Sequence, residues 1–194
     1  MATIAEKLRR SVVGIAGLGG LGSNVTVALA RAGLGTFIIA DLDSVEPSNL
    51  NRQHYFLDQL GKHKVDCMLE NLRRINPELR VEDHKVKLTP ANIPEIFSSA
   101  DVIAECFDTA EAKQMIVETV LSKMKAPIVS VSGLAGYGNS NEIITRRISE
   151  RLILIGDGHS ASGGSDTLTA PRVALAAAHQ ANAILEIIID RTKT

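Results

Sequence analysis

Ser11-Val12-Val13-Gly14-Ile15-Ala16 runs directly into Gly17-Leu18-Gly19-Gly20-Leu21-Gly22-Ser23, and helix-compatible sequence follows from Leu21 to about Ala32. An apolar run of strand length, a glycine turn and a helix in this order give a G-x-G-x-x-G match its proper context. Gly17 permits the tight turn, Gly19 lets the backbone approach phosphates, and Gly22 lets helix pack on strand. Backbone N–H groups at the start of that helix face an anion. The plain alternative is a tight turn with no ligand. Against it stands a second apolar run, Thr36-Phe37-Ile38-Ile39-Ala40, which ends in Asp41. That is about 20 residues beyond the glycines, where a carboxylate accepts hydrogen bonds from ribose hydroxyls.

Arg52 bears on which nucleotide chemistry the chain performs. Dehydrogenases hold a pyrophosphate mainly with the glycine turn and the helix dipole, and need no dense polar cluster after the ribose acid. Here Asn49, Asn51, Arg52 and Gln53 follow a turn signal, Glu46-Pro47-Ser48, which places them on a loop or short helix at the carboxyl edge of the sheet. An arginine there can stabilise charge building on a phosphate in flight. Equally, it can pin the loop to a carboxylate.

GxGGxGS, DxDxVExSNLNRQ, GKHK and ECFD occur in this chain in the order and spacing of the ThiF/MoeB-like adenylyltransferase family, the activating enzymes of sulfur-carrier and ubiquitin-like proteins. The chain resembles that family from about Ser11 to Asp190, most closely its thiamine-thiazole branch. The resemblance implies that Asp41 binds the adenosine ribose and that Gly17, Gly19, Gly20 and Gly22 lie against ATP. It implies further that Asn49 and Arg52 contact the triphosphate with Gln53 beside them, that Lys64 binds phosphate, and that Asp108 holds Mg2+. Arg52, Lys64 and Asp108 are then the catalytic set. The implied reaction is attack of a protein's terminal carboxylate on the α-phosphorus of ATP, with departure of pyrophosphate. Such a step needs positioning and cations more than a base, since a carboxylate is already ionised at neutral pH.

Each residue also has a plainer role. Lys64 opens a helix with Val65, Leu69, Leu72 and Ile75 on one side, and a first-turn lysine is often solvated. A cation at a helix start opposes the dipole, which favours a phosphate partner. Asp108 follows the run 101–105 and precedes a helix over 110–123, so it can share the N-cap with Thr109. Magnesium takes hard oxygen ligands, often one carboxylate plus phosphates.

Apolar and helical runs alternate along the chain. Strands are expected near 11–16, 36–41, 81–86, 101–105 and 127–131, and helices near 21–32, 63–75, 91–98 and 110–123. That order predicts an α/β, Rossmann-like doubly wound, mainly parallel sheet. Residues 141–147 and 152–155 read as two strands too close for a helical crossover, hence antiparallel. Residues 173–189 read as a buried final helix, since His179, Gln180, Asn182 and Glu186 interrupt it. The glycine-rich stretch 156–166 reads as a mobile loop, and residues 1–194 as a single domain.

Relatives commonly carry two CxxC pairs for a structural zinc, but this chain has only Cys67 and Cys106, neither in such a pair. No zinc of that type is expected. Both cysteines read as small core residues, and no late thiol is available for thioester or acyl-disulfide chemistry. The family's amino-terminal arginine motif has no match, because Arg9 and Arg10 lie too close to the first strand. Ala170-Pro171-Arg172 resembles the family's Met-Ala-Pro segment. His54, His63, His84, His159 and His179 show no metal-ligand spacing; His54 lies nearest the Arg52 segment.

With 194 residues, 45% of them apolar, and a net charge of −1, the chain can bury a sizeable core and shows no basic stripe. A nucleic-acid coat is excluded, and nucleic acid is not the expected partner. The start lacks a secretory signal, so a cytoplasmic protein with no membrane contact is expected. The favoured function is ATP-dependent adenylation of a small ThiS-like sulfur-carrier protein ending in Gly-Gly, carried out by a homodimer. Its tail would cross the carboxyl edge of the sheet, where Ser132 to Asn139 is glycine-rich enough to admit it. The alternatives are activation of a carboxylate on modified tRNA, and a non-catalytic ATP-binding partner subunit.

Overall fold

The structure, a computed structural model, describes residues 2–160 and 168–190. In chain order it forms α1 (Ile4–Arg10), β1 (Val12–Ala16), α2 (Gly20–Arg31), β2 (Thr36–Ala40), α3 (Lys64–Ile75), β3 (Arg80–His84) and α4 (Ile93–Ile96). It continues with β4 (Val102–Glu105), α5 (Ala110–Lys123), β5 (Ile128–Val131), β6 (Ile144–Ser149), β7 (Leu152–Gly156) and α6 (Ala170–Asp190). The strands make one seven-stranded sheet in the order β3-β2-β1-β4-β5-β7-β6. All neighbours are parallel except β6 and β7, so the expected mainly parallel sheet with antiparallel strands late in the chain is what forms.

β1 lies between β2 and β4, both parallel to it, so successive crossovers leave its two edges in opposite directions. A crevice opens beyond the carboxyl ends of strands at such a switch point. Gly17, Asp41 and Cys106 stand there, with Gly17 N–H donating to Ala40 O and Cys106 N–H to Ala16 O, both at 2.9 Å.

Helices cover both faces. On one face α2 and α6 pack along each other and over the sheet, with Val25, Leu29, Ala177 and Ile184 in the core. On the other, Ile93, Phe97, Ile116 and Val120 from the α4 and α5 region meet Ile38 and Ile103. Gly14 makes room there: a Cβ at that position would lie 2.6 Å from the Phe97 ring. The final helix is long and apolar enough to cross a membrane by length and composition, yet half of that span is buried within the fold.

Several elements depart from expectation for local reasons. α1 has no counterpart in the expected elements; Thr3 and Glu6 close a capping box over it, and Lys7 Nζ donates to Ile189 O at 2.7 Å. The helix expected over 91–98 shrinks to one turn, because Thr89 and Asn92 cap each other's backbone and Pro94 limits the start. Residues 140–142 form a 3-10 turn, which delays β6 to Ile144. Of the expected mobile loop 156–166, Gly156 ends β7 and residues 157–160 are held by Asp157, while 161–167 lie outside the described residues.

Gly22 is set back from the crevice. A Cβ on it would overlap Gly17 O, so its part is to let α2 seat against the turn. Gly22→Ala is expected to destabilise the fold by about 1–3 kcal/mol or more, as overpacking against fixed backbone does. A urea midpoint equal to wild type would show that the turn yields more easily than this contact implies.

Candidate active site

The crevice is a cleft of about 950 Å3. It is lined by Gly17, Gly19, Gly20, Asp41, Asn49, Arg52, Gln53, Lys64 and Asp108, so the structure brings together every expected site residue except Gly22. Gly17 adopts φ +92°, a conformation that strains any residue with a Cβ. α2 starts at Gly20 with Gly19 as N-cap and no side chain on its first N–H groups, which leaves them for an anion. A Cβ at Gly20 would lie 3.7 Å from the Arg52 side chain, and one at Gly19 would lie 3.8 Å from Gln53 Nε2.

Asp41 ties the strand end to the glycine turn. Its Oδ2 accepts from Leu18 N–H at 2.5 Å and its Oδ1 from Asp43 N–H at 2.7 Å. Burial holds its carboxyl above the usual carboxylate range, against the pull of those two N–H donors and Lys64. Lys64 is not the solvated first-turn lysine of the plainer reading. It is 6% exposed, and its Nζ lies 2.8 Å from Asp43 Oδ2.

Arg52 has no carboxylate partner among the described residues, so pinning a loop to an acid is not its role in this structure. Its Nη1 donates to Ser48 O at 2.9 Å and to Asn51 Oδ1 at 2.8 Å. The backbone around it is braced from α2 and α3: Asn24 donates to Arg52 O, Ser23 Oγ accepts from His54 N–H, and Asn71 donates to His54 O. Tyr55 is buried and donates its hydroxyl to Leu18 O at 2.9 Å, linking this loop to the glycine turn. Asn49 caps its own 3-10 turn, with Oδ1 accepting from Glu46 N–H at 3.1 Å. Among the described residues, Gln53 Oε1 alone is a buried side-chain acceptor without a partner.

Asp108 stands exposed at the mouth and leaves the N-cap of α5 to Thr109, whose Oγ1 accepts from Ala112 N–H. Behind it Glu105 is fully buried, where it accepts from Phe107 N–H at 2.6 Å, Ser130 Oγ at 2.6 Å and Lys113 Nζ at 3.1 Å. Lys113 also lines the cleft. Asp43, Glu105 and Lys113 were not among the expected site residues; the D-x-D spacing could have drawn attention to Asp43, whereas nothing local marks the other two as partners.

Among the described residues no group of three or more His, Cys, Asp or Glu could hold a metal. His54 faces away from the cleft into a separate cavity with Phe56 and Asn71, and burial followed by Arg31 lowers its pKa. Cys67 and Cys106 are both buried, and burial pushes both thiols up.

The model of the ThiF family matches residues 2–194. The adenylyltransferase and sulfurtransferase uba4 of Aspergillus niger is 41% identical over 133 residues, which are 68% of this chain and 27% of that protein. UBA4 of Eremothecium gossypii is 40% identical over 133 residues, 30% of its length. The chain thus spans under a third of the curated relatives it matches. Among solved structures, the E. coli tRNA N6-threonylcarbamoyladenosine dehydratase TcdA in complex with ATP superposes with TM-score 0.87 at 20% identity, covering 98% of this chain and 90% of that one. E. coli MccB with ATP gives TM-score 0.72 at 21% identity, covering 95% and 57%. At those identities the likeness concerns the fold.

Proposed function

Because the chain belongs to the ThiF family, we propose that it is an adenylyltransferase that uses ATP to activate the terminal carboxylate of a small sulfur-carrier protein ending in Gly-Gly. The observation that carries this is the gathering of an uncapped helix start, Arg52, Lys64 and Asp108 on one cleft. The unpartnered Gln53 Oε1 and the bare backbone at Gly19 and Gly20 fit a bound nucleotide. A non-catalytic subunit would have no need of the three charged groups together.

In the proposed reaction a carboxylate oxygen of the tail forms a bond to the α-phosphorus of ATP. The bond from that phosphorus to the β-bridging oxygen breaks, and pyrophosphate leaves with the electron pair. Asp41 orients the ribose, which fixes the α-phosphorus relative to the tail. The first N–H groups of α2 face the phosphates, and Arg52 and Lys64 offset the charge that spreads over the phosphoryl oxygens. Lys64 already carries Asp43 as counter-ion, so its charge sits in the cleft wall before any ligand arrives. Magnesium, held by Asp108 with phosphate oxygens and water, would supply further charge neutralisation, and a single carboxylate suits that ion. The chain acts as a homodimer in this reading, and exposed Phe56, Leu57 and Leu60 give an apolar face for the second copy.

The fungal relatives are named adenylyltransferase and sulfurtransferase, and TcdA a tRNA N6-threonylcarbamoyladenosine dehydratase; a net charge of −1 without a basic stripe favours a protein tail over tRNA as the partner of this chain. ATP–pyrophosphate exchange decides between them: it should require a Gly-Gly carrier and be unmoved by tRNA. A dimer that binds ATP yet gives no exchange with any such carrier sinks the catalytic reading.

Asp41→Ala tests the ribose assignment separately. Losing a carboxylate that binds hydroxyls should weaken ATP about tenfold or more. The fold should survive, since Gly17 N–H to Ala40 O and Tyr55 Oη to Leu18 O still hold the glycine turn when the Asp41 bonds are lost. Calorimetry showing wild-type affinity in a folded variant would overturn the assignment.

A further inference from the structure

The segment from Cys106 to Thr109 brings Asp108 to the cleft, and it is fixed on both sides of that residue. Cys106 N–H donates to Ala16 O at 2.9 Å, which extends the pairing of β4 with β1. Phe107 N–H turns back and donates to Glu105 Oε1 at 2.6 Å, and Thr109 caps α5. The segment lies against the glycine turn, since a Cβ at Gly17 would stand 3.0 Å from Cys106 O and 3.4 Å from the Phe107 ring. What holds Phe107 therefore also sets where Asp108 stands relative to that turn.

Glu105 is locked in place from both faces of the sheet. On the α5 face, Lys113 Nζ lies 3.1 Å from each carboxylate oxygen, and Ser130 Oγ from β5 donates to Oε2 at 2.6 Å. With the Phe107 N–H on Oε1, each oxygen accepts from two donors. From the opposite face Gln180 of α6, itself fully buried, donates its Nε2 to Glu105 O at 2.9 Å and to Val129 O at 2.8 Å. That amide bridges β4 and β5 just where their paired register, Ile103 with Ile128 and Ala104 with Val129, comes to its end.

Glu105 is 0% exposed. A carboxylate is costly to bury, and a buried ion pair adds little net stability, so a fully satisfied group such as this one is better explained by the geometry it fixes. That geometry is the backbone at Phe107 and, one residue further, Asp108. Lys113 also lines the cleft, but its ammonium bonds run to Glu105, so its part is to hold that carboxylate.

We propose that Glu105, locked by Lys113 and Ser130, is a positioning residue for Asp108: it aims that carboxylate at the ATP phosphates and their magnesium, and touches no reacting atom itself. This rests on the placement of magnesium at Asp108 in the adenylation reading above. Asp108 suits a hard cation because it is exposed at the cleft, leaves the helix cap to Thr109 and pairs with no cation among the described residues. Its aim comes from the backbone that carries it, and Glu105 anchors that backbone at Phe107.

The test is a cycle of variants. Glu105→Met removes both acceptors at similar length, Glu105→Gln keeps one for the Phe107 N–H, and each is made alone and together with Asp108→Asn. The first readout is Mn2+ binding, followed by the spin resonance of the free ion, to protein holding an ATP analogue with a methylene bridge between its α and β phosphorus. The second is the magnesium concentration that half-saturates ATP–pyrophosphate exchange with a Gly-Gly carrier. Glu105→Met should weaken Mn2+ binding about tenfold, the low end for losing a group that orients a metal ligand, and Glu105→Gln about threefold. Half-saturating magnesium should rise in step. With Asp108→Asn already present, neither substitution should move either readout by more than about twofold, because the residue they act through is gone. A merely structural role would lower the urea midpoint and shift both backgrounds alike. Should Glu105→Met fail to fold, adding Lys113→Met replaces the whole ion pair by apolar side chains, an exchange proteins often tolerate, and that double variant takes its place. Unchanged Mn2+ affinity in the folded variant, or equal shifts with and without the Asp108 carboxylate, overturns the proposal while the adenylation reading stands. Wild-type Mn2+ affinity in Asp108→Asn alone removes the magnesium assignment and this proposal together. Exchange absent in wild type removes the adenylation reading, and Mn2+ binding then decides by itself whether Glu105 acts through Asp108.

Discussion

Arg52→Ala is expected to lower the rate of ATP–pyrophosphate exchange about 100-fold or more while ATP affinity falls much less, the pattern of a group needed chiefly in the transition state. The structure makes this a clean experiment. Among the described residues no acid depends on the Arg52 charge, and its guanidinium contacts only Ser48 O and Asn51 Oδ1 on its own loop. The loop backbone is held by other groups, from Asn24, Ser23 and Tyr55, so the alanine variant should fold and keep the cleft. Arg52→Lys should recover part of the rate, since it restores a point charge without the planar fork. A rate within threefold of wild type in Arg52→Ala, or a loss of ATP affinity as large as the loss of rate, would remove Arg52 from the catalytic set.

What the sequence makes legible here is whatever depends on local order along the chain. The strand–glycine–helix run at 11–32, the acid at the end of β2 and the close pair of late strands are all nearest-neighbour patterns, and they appear in the sheet as read. The 3-10 turn at Pro47–Asn49 likewise follows from its proline and its self-capping asparagine. Partnerships across the sheet were not legible. Lys64 looks solvated on its helix because Asp43, 21 residues earlier, is what pairs with it. Asp157 sits in a glycine-rich stretch that reads as mobile, and its bonds to Arg172 from α6 and to Ser160 hold the described part of that stretch, residues 157–160. Glu105 and Lys113 meet eight residues apart at the turn into α5, around a buried hydroxyl from β5. The same limit applies to Asp108. Sequence allowed it as a cap, a metal ligand or both, and the structure gives the cap to Thr109.

That release of Asp108 leads to the second large effect expected. An aspartate that caps no helix and pairs with no cation among the described residues, at the mouth of a cleft lined by Arg52, Lys64 and Lys113, contributes little to the fold. Asp108→Ala should therefore leave the urea midpoint near that of wild type. If Asp108 supplies the one carboxylate for magnesium, its loss should cut exchange by about 100-fold at limiting magnesium, with much of the rate regained as the metal is raised. Arg52→Ala should show no such rescue, because a missing guanidinium is not replaced by more metal. The two variants thus separate charge supplied by the protein from charge supplied by a bound ion. Asp108→Asn serves as the control for shape, since it keeps the size of the side chain and loses most of the affinity for a hard cation. Equal sensitivity to magnesium in wild type and both Asp108 variants would place the metal elsewhere, on ATP alone, and leave Arg52 and Lys64 as the charges the protein brings to the reaction.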